Sequence, residues 1–387
     1  MQNQLRLPKL LVASVLMLIQ VLFSTDCLAA TPSISADSAI VMDVRTGEIL
    51  FEKNARRQMS PASTTKILTA IVALEQGNLS DTVTVSKHAA YTEGSSLHLV
   101  PGEKITLDDL LVGLLLRSGN DSAVAIAEHI AGSEQKFAEL CNSRAKALGT
   151  QNTNFRNPHG LSAPGHYTTA YDLAVLAQHA LTTLPRFADI VSTREDTIDW
   201  EGRPYDKQLR NTNKLLWLFE GADGVKTGTT KQAGQCLVSS ATRNDQQLVA
   251  VVLHSGSRWN DSMNLLKYGF DNFKLLKFAA KNSLYQSLPV KKGMHQYVDA
   301  VIADEVSIVL PKTIADSIRV EYDLLPVVEA PVYRGQKLGE VVLYHNDKAI
   351  KVVDIVAGQE VMDRTLVRLT LSRLLAVYRS LASWGWF

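Results

Sequence analysis

The chain has 387 residues, 46% of them hydrophobic, enough to bury a large core and to divide into two or three domains. Its 40 basic and 39 acidic side chains leave a formal charge of +1, which argues against a nucleic-acid-binding surface spread over the molecule. Three cysteines make no disulfide framework, and the absence of any His-x-x-x-His or Cys-x-x-Cys spacing argues against a metal site.

At the N-terminus Arg6 and Lys9 precede an apolar run from Leu10 to Phe23 and then Cys27-Leu28-Ala29-Ala30. That is the pattern of a secretory signal peptide over residues 1–30, cleaved after Ala29 or Ala30. The run is shorter than the ~20 residues that span a bilayer. Asp26 beside Cys27 argues against lipid modification of that cysteine. Cleavage would leave Cys141 and Cys236, both read as buried small hydrophobes, with Cys236 close enough to Lys226 in sequence for thiol reagents to disturb its neighbours.

From Ser38 the segment SAIVMDVRTGEILFEKN predicts two strands of period-two alternation around an Arg45-Thr46-Gly47 turn. A helix follows, with Ser60 as its N-cap, Pro61 at the first helical position and an apolar face of Ile67, Leu68, Ile71, Val72 and Leu74. A long helical region runs from Leu107 to Lys146, broken at Leu116–Ser122, and another helix from Thr168 to about Leu181. Strands return at Gly224–Thr229, Gly234–Thr242 and Gln247–Leu253, with Arg243-Asn244-Asp245 as a tight turn, and a helix over about Asp261–Phe270 closes the region. Strands at both ends of a helical middle predict an α+β domain over residues 31–278, its sheet assembled from terminal segments, with a boundary near Lys277.

Beyond it, YVDAVIA, SIVLP, IRVEYDL, APVYRG and LGEVVLYH predict a small all-β domain over residues 279–361. It carries no cluster of catalytic residue types. From Met362 the period changes to 3.6, predicting an amphipathic helix over residues 362–387. Leu366, Leu369, Leu374, Val377 and Leu381 fall near one face, and Arg364, Arg368, Arg379 and, at the margin, Arg373 and Ser372 toward the other. With Trp384 and Trp386 at its end, this helix suits the surface of an anionic membrane.

The chain contains three Ser-x-x-Lys pairs. Ser133 with Lys136 and Ser143 with Lys146 sit in polar helical stretches that a solvated face explains. Ser63 and Lys66 fall on one face of the helix that follows the hairpin. An unactivated serine is a poor nucleophile at neutral pH and needs an adjacent base. Lys66 can supply it if burial and neighbouring positive charge lower its pKa, and a helix N-terminus at Ser63 favours developing negative charge. Downstream stand Ser118-Gly119-Asn120, in a break between helices, and Lys226-Thr227-Gly228, which occurs once.

This ordered set resembles that of penicillin-binding proteins and class A β-lactamases. The stretches LLLRSGNDSAVAIAEHIAGS, NFRNPHGLSAPGHYTTAYDLAVLA, DGVKTGTTKQAGQCLVSSA and SRWNDSMNLLKYGF extend the resemblance over residues 35 to 275. The chain is identified as a member of the low-molecular-mass penicillin-binding proteins of the D-alanyl-D-alanine carboxypeptidase type. The resemblance implies an acyl-enzyme on Ser63 with Lys66 as base, Ser118 in the proton shuttle to the leaving group, and Asn120 positioning Lys66 and the substrate amide. It implies that Lys226, with Thr227 and Gly228, faces the terminal carboxylate of the substrate, with Arg258 assisting. Thr229 would share the oxyanion hole with the Ser63 N–H.

No cofactor is expected. The implied partners are peptidoglycan stem peptides ending in D-Ala-D-Ala, β-lactams as covalent inhibitors, and the outer surface of the cytoplasmic membrane. His159 and His166 read as satisfied loop residues rather than a Ser-His pair. Three alternatives stay open. A β-lactamase would want a glutamate between the second and third motifs, and the candidate run Glu139–Asn142 lies too close behind Asn120. An endopeptidase would use the same residues, and a non-catalytic scaffold would need none of them.

Overall fold

The computed structural model describes residues 31–198, 207–365 and 370. The leader read over residues 1–30 lies outside the described residues. The expected hairpin forms from β1 (Ser38–Asp43) and β2 (Ile49–Lys53). Asp43 Oδ1 holds the turn by accepting from the backbone N–H groups of Arg45 and Thr46. The alternation expected of β1 is absent, because all six of its residues are buried.

That burial follows from the sheet. β1 pairs with β5 (Gln246–Ser255), which pairs with β4 (Gly234–Arg243), which pairs with β3 (Ala222–Thr230). The order β2-β1-β5-β4-β3 is antiparallel throughout and joins both ends of the domain. At the expected turn between β4 and β5, Asn244 and Asp245 have φ of 48° and 62°, the left-handed pair that a tight two-residue hairpin requires.

On one face Ile40, Met42, Val238, Val249 and Val251 pack into a core shared with the helices. On the other, Ala39, Val41, Leu237, Ala250 and Val252 meet Leu265 and Leu266 of the closing helix, Arg258–Asn272. Strands covered on both faces read as continuous apolar runs such as LVAVVL, since no position faces water.

The helices of the first face are α1 (Lys66–Gln76), α2 (Leu107–Leu116), α3 (Asn120–Ala131), α4 (Glu134–Ala147), α5 (Ala170–Thr183) and α6 (Pro185–Ser192). The region from Leu107 to Lys146 therefore breaks twice, not once. The second break is a cap exchange, in which Gly132 ends α3 with φ of 76° and Ser133 Oγ accepts from the Lys136 N–H at 3.3 Å to start α4. Ser133 is thus a helix cap rather than part of a solvated face.

Past the helix Arg258–Asn272 (α7), β6 (Phe273–Ala279) pairs with a strand over Val306–Pro311. Its two ends serve different cores. Phe273 and Leu275 pack with the α7 cluster, whereas Phe278 and Ala279 pack with the β-rich cluster. The β-rich part forms a six-stranded sheet whose members include Leu284–Lys291 and Lys348–Ala357, neither of which the sequence reading singled out. APVYRG, expected as a strand, makes only an isolated bridge from Val332 to Val361.

Met362–Thr365, the first residues of the helix expected from Met362, are not helical. Met294 donates its N–H to Met362 O at 2.8 Å, Gly293 bridges to Asp363, and Arg364 donates to Lys292 O at 2.6 Å. Residues 366–369 and 371–387, which carry most of the amphipathic pattern, lie outside the described residues. Among the described residues no helix is long and apolar enough to cross a membrane.

Candidate active site

The serine of the first motif is held by an irregular turn rather than by the cap expected at Ser60. Ala62 has φ of 48°, Ala62–Thr65 form a 3₁₀ turn, and α1 proper begins at Lys66. The turn is fastened by its own threonines, Thr64 Oγ1 donating to Pro61 O at 2.7 Å and Thr65 Oγ1 to Ala62 O at 2.9 Å.

Two glycines let other segments close on this turn. At Gly160, φ 91°, a Cβ would collide with the Ala62 carbonyl. At Gly228 on β3 it would sit 3.0 Å from both Pro61 O and Ser63 N. β3 is therefore in close contact with the serine's own backbone.

Lys66 is fully buried at the start of α1. Its Nζ lies 2.7 Å from Asn120 Oδ1, 2.7 Å from the His159 carbonyl and 3.2 Å from Ser63 Oγ. Burial, then the charge of Lys226, hold its pKa well below the usual lysine range, while Asp121 pulls the other way. A neutral amine has two N–H bonds and one lone pair. In that form the two carbonyl-type acceptors at 2.7 Å satisfy both N–H bonds, which leaves the lone pair for the Ser63 hydroxyl. This is the arrangement a general base requires.

Asn120 opens α3 and is fixed from both ends. Its Nδ2 donates to Glu93 O at 2.6 Å and its backbone N–H to Ser95 O at 2.7 Å. The 93–99 segment that supplies these carbonyls is itself gathered on Asp121. That fully buried carboxylate accepts from Ser96 Oγ at 2.6 Å, from Leu97 N at 3.0 Å and from Leu99 N at 3.2 Å. The sequence reading gave Asp121 no role. The available signal was an acidic residue in the first turn of a helix that follows a functional motif.

Ser118 lies in the α2–α3 break with φ of 64°, a conformation costing a non-glycine residue roughly 1–3 kcal/mol. Its Oγ is buried and has no protein partner. Across the cleft runs β3, an edge strand, yet Lys226 points inward and is 1% exposed. Burial, then Arg258, bring its pKa down to about 7.

Thr227 Oγ1 lies 3.0 Å from Thr212 Oγ1. Arg258, the first residue of α7, donates Nη1 to Gly228 O at 2.9 Å and to Thr229 Oγ1 at 2.7 Å, tying the end of β3 to the closing helix. Its buried Nε has no protein partner.

The two loop histidines are satisfied. His166 accepts from Arg156 N at its Nδ1, so its Nε2 carries the proton toward Thr65 Oγ1 at 2.9 Å, and burial pulls its pKa down to about 4. His159 accepts from Leu161 N at Nδ1 and faces Glu134 with Nε2. Its contribution to the site is its main-chain carbonyl, which no side-chain pattern reveals. Cys236 is fully buried opposite Gly228 and burial pushes its thiol up to about 11, so the expected sensitivity to thiol reagents does not hold.

The fold and this Ser-Lys centre are those of a penicillin-recognising serine peptidase. Residues 25–257 match the family model described as D-alanyl-D-alanine carboxypeptidase, and residues 273–363 match that of the penicillin-binding protein 5 C-terminal domain. The chain belongs to the D-alanyl-D-alanine carboxypeptidase family of serine peptidases.

It is 34% identical over 336 residues to D-alanyl-D-alanine carboxypeptidase DacF of Bacillus subtilis, covering 84% of this chain and 85% of that one. It is 34% identical over 355 residues to DacC of Escherichia coli, covering 88% and 87%. Penicillin binding protein 5 of Haemophilus influenzae superposes with a TM-score of 0.75 at 32% identity, over 86% of this chain and 99% of that one. Penicillin binding protein 6B of Escherichia coli gives 0.68 at 32% identity, over 85% and 98%.

Asp121→Asn would replace one of the two oxygens that gather the 93–99 segment with an amide NH2 and remove the negative charge that opposes the lowering of the Lys66 pKa. The expected outcome is a loss of acylation rate of about tenfold or more, from loss of charged hydrogen bonds. The acid limb of the kcat/KM profile should also move to lower pH, because Lys66 becomes neutral sooner. A fluorescent β-lactam followed across pH measures both, and an unmoved acid limb would show that Asp121 acts on the loop alone.

Proposed function

We propose that Ser63 is the nucleophile and Lys66 its base in removal of the terminal D-alanine from peptidoglycan stem peptides. The observation that carries this reading is the buried Lys66 amine, held 2.7 Å from Asn120 Oδ1 and from the His159 carbonyl and 3.2 Å from Ser63 Oγ, so that its neutral form has a lone pair left for the serine proton. Ser63 Oγ attacks the scissile carbonyl as Lys66 takes its proton. Ser118, with its unpartnered buried hydroxyl, passes a proton to the departing amine, and water then hydrolyses the acyl-enzyme.

The oxyanion sits between the N–H groups of Ser63 and Thr229, and Asn120 orients the substrate amide. Lys226, Thr227 and Arg258 receive the terminal carboxylate, and Gly228 keeps β3 close to the nucleophile. β-Lactams acylate the same serine. No cofactor or metal enters any step.

We also read the chain as an exported enzyme. In this reading a leader over residues 1–30 precedes a catalytic domain over 31–278 and a β-rich domain over 279–361, and the basic amphipathic terminus rests on the outer surface of the cytoplasmic membrane. The four arginines after Asp363 and the two terminal tryptophans support the anchor.

Three measurements test these assignments. Ser63→Ala should abolish covalent labelling by fluorescent penicillin while leaving the far-UV and near-UV circular dichroism unchanged; labelling at the wild-type level would sink the nucleophile. Lys226→Gln should cost roughly ten- to a hundredfold in kcat/KM on an acyl-D-Ala-D-Ala acid and far less on its amide. Because Lys226 sheds its charge as pH rises through about 7, wild-type preference for the acid should weaken above that pH. Finally, removal of residues after Thr365 should release a soluble, still penicillin-labelled protein from washed membranes, and retention in the pellet would refute the anchor.

A further inference from the structure

Gly256 and Ser257 alone separate Ser255, the last residue of β5, from Arg258, the first of α7. Gly256 is exposed and Ser257 and Arg258 are half-buried, so apolar packing does little to fix this link. Nor does the Ser257 side chain cap the helix it precedes. Yet Arg258 leaves the link with a definite aim, its Nη1 reaching Gly228 O and Thr229 Oγ1 at the end of β3.

The link is held by two layers of polar contacts. Ser35 Oγ accepts from Gly256 N at 3.1 Å, and Ser255 Oγ accepts from Ser257 N at 3.0 Å. A hydroxyl has one proton to give, and both of these go to Asp261 Oδ2, at 2.7 Å from Ser35 and 2.6 Å from Ser255. Ser35 N donates to Asp261 Oδ1 at 3.0 Å. Asp261 is 4% exposed and lies in the first turn of α7, where a negative charge suits the helix N-terminus. Its carboxylate thus sets the direction of two hydroxyls, and these fix the two N–H groups that precede Arg258. Ser35 stands 226 positions from Asp261 in the chain, between Ile34 and Ala36, which pack with the α7 cluster. None of the three residues enters the chemical steps given above.

We propose that Asp261, acting through Ser35 and Ser255, is the positioning residue for Arg258 and so for recognition of the substrate's terminal carboxylate. The segment ahead of β1 is then a working part of the specificity site rather than a lead-in to the sheet. The inference rests on the assignment of Arg258 to that carboxylate.

One acyl-D-Ala-D-Ala peptide, offered as the free acid and as the amide, tests it through the ratio of the two kcat/KM values. Arg258→Gln should lower the preference for the acid by about tenfold, through loss of a charge-assisted contact. Asp261→Asn puts an NH2 group where both hydroxyls donate, and Ser35→Ala removes the acceptor of Gly256 N. Each should lower the same preference by about threefold, roughly the worth of one hydrogen bond, and in KM rather than kcat. In the Arg258→Gln background Asp261→Asn should lower it no further, because the group it positions is gone.

Labelling to completion at saturating fluorescent penicillin reports the fold of each variant, and Ser35→Ala, at an exposed position, carries the test should Asp261→Asn fail to fold. Equal losses on acid and amide would make the cluster a stabiliser of the domain alone and overturn the proposal. So would an unchanged preference in Asp261→Asn and Ser35→Ala while Arg258→Gln lowers it. An unchanged preference in Arg258→Gln takes Arg258 out of the carboxylate site, and the proposal falls with that reading.

Discussion

Burying the amine of Lys66 is the constraint from which the rest of the site follows. An ammonium removed from water costs several kcal/mol even after relaxation, so a fully buried lysine either finds compensating acceptors or gives up its proton. This one does both. Asn120 Oδ1 and the His159 carbonyl supply acceptors at 2.7 Å, while Lys226 adds repulsion that favours the neutral amine. A base poised in this way needs its acceptors fixed to within a few tenths of an ångström, and most of the surrounding architecture serves that end.

The Asn120 acceptor is held through the 93–99 segment, whose N–H groups converge on Asp121. The His159 acceptor is held by its loop, in which Asn157 Oδ1 accepts from Gly160 N at 2.7 Å and Thr69 Oγ1 donates to Pro158 O at 2.6 Å. On the far side β3 comes against the Ser63 turn only because position 228 lacks a Cβ. Arg258 then ties that strand to α7, and α7 is seated by Leu265 and Leu266 on the opposite face of the same sheet. The sheet therefore transmits packing on one face to geometry on the other, as close-packed interiors do.

On the proposed reading the cations beside the cleft, Lys226 and Arg258, attract the free carboxylate of the substrate. The pKa of Lys226, down to about 7, reflects burial beside the Arg258 guanidinium. A bound carboxylate opposes that shift by returning a favourable partner to a group that burial has stripped of water. The β-rich region takes no part in this electrostatics. Its link to the catalytic region is β6, whose first residues belong to one core and whose last belong to the other.

Legibility in the sequence divided along the range of the interactions. The Arg45–Gly47 hairpin, the Asn244–Asp245 turn, the i, i+3 pairing of Ser63 with Lys66 and the break at Ser118 are fixed by neighbours in the chain. Turn chemistry and periodicity sufficed for them. So did the two-ended assembly of the sheet, because long apolar runs at both termini have few other places to be buried. The second helix break at Gly132–Ser133 was also local, and its glycine and serine cap signals were there to be read.

What the sequence could not decide is long-range or carried by the main chain. The His159 carbonyl acts without its side chain, so residue type is silent about it. Asp121 has its effect through N–H groups more than twenty positions earlier in the chain. Lys226 turns inward, with its pKa drawn down to about 7, only when the fold buries it on the edge strand beside Arg258. The same holds for the threonine-fastened turn that replaced the expected Ser60 cap, since its shape is set by Gly160 and Gly228 closing on it from distant segments. Local sequence chose the chemical groups, and tertiary packing set their protonation, their direction and their distance from Ser63.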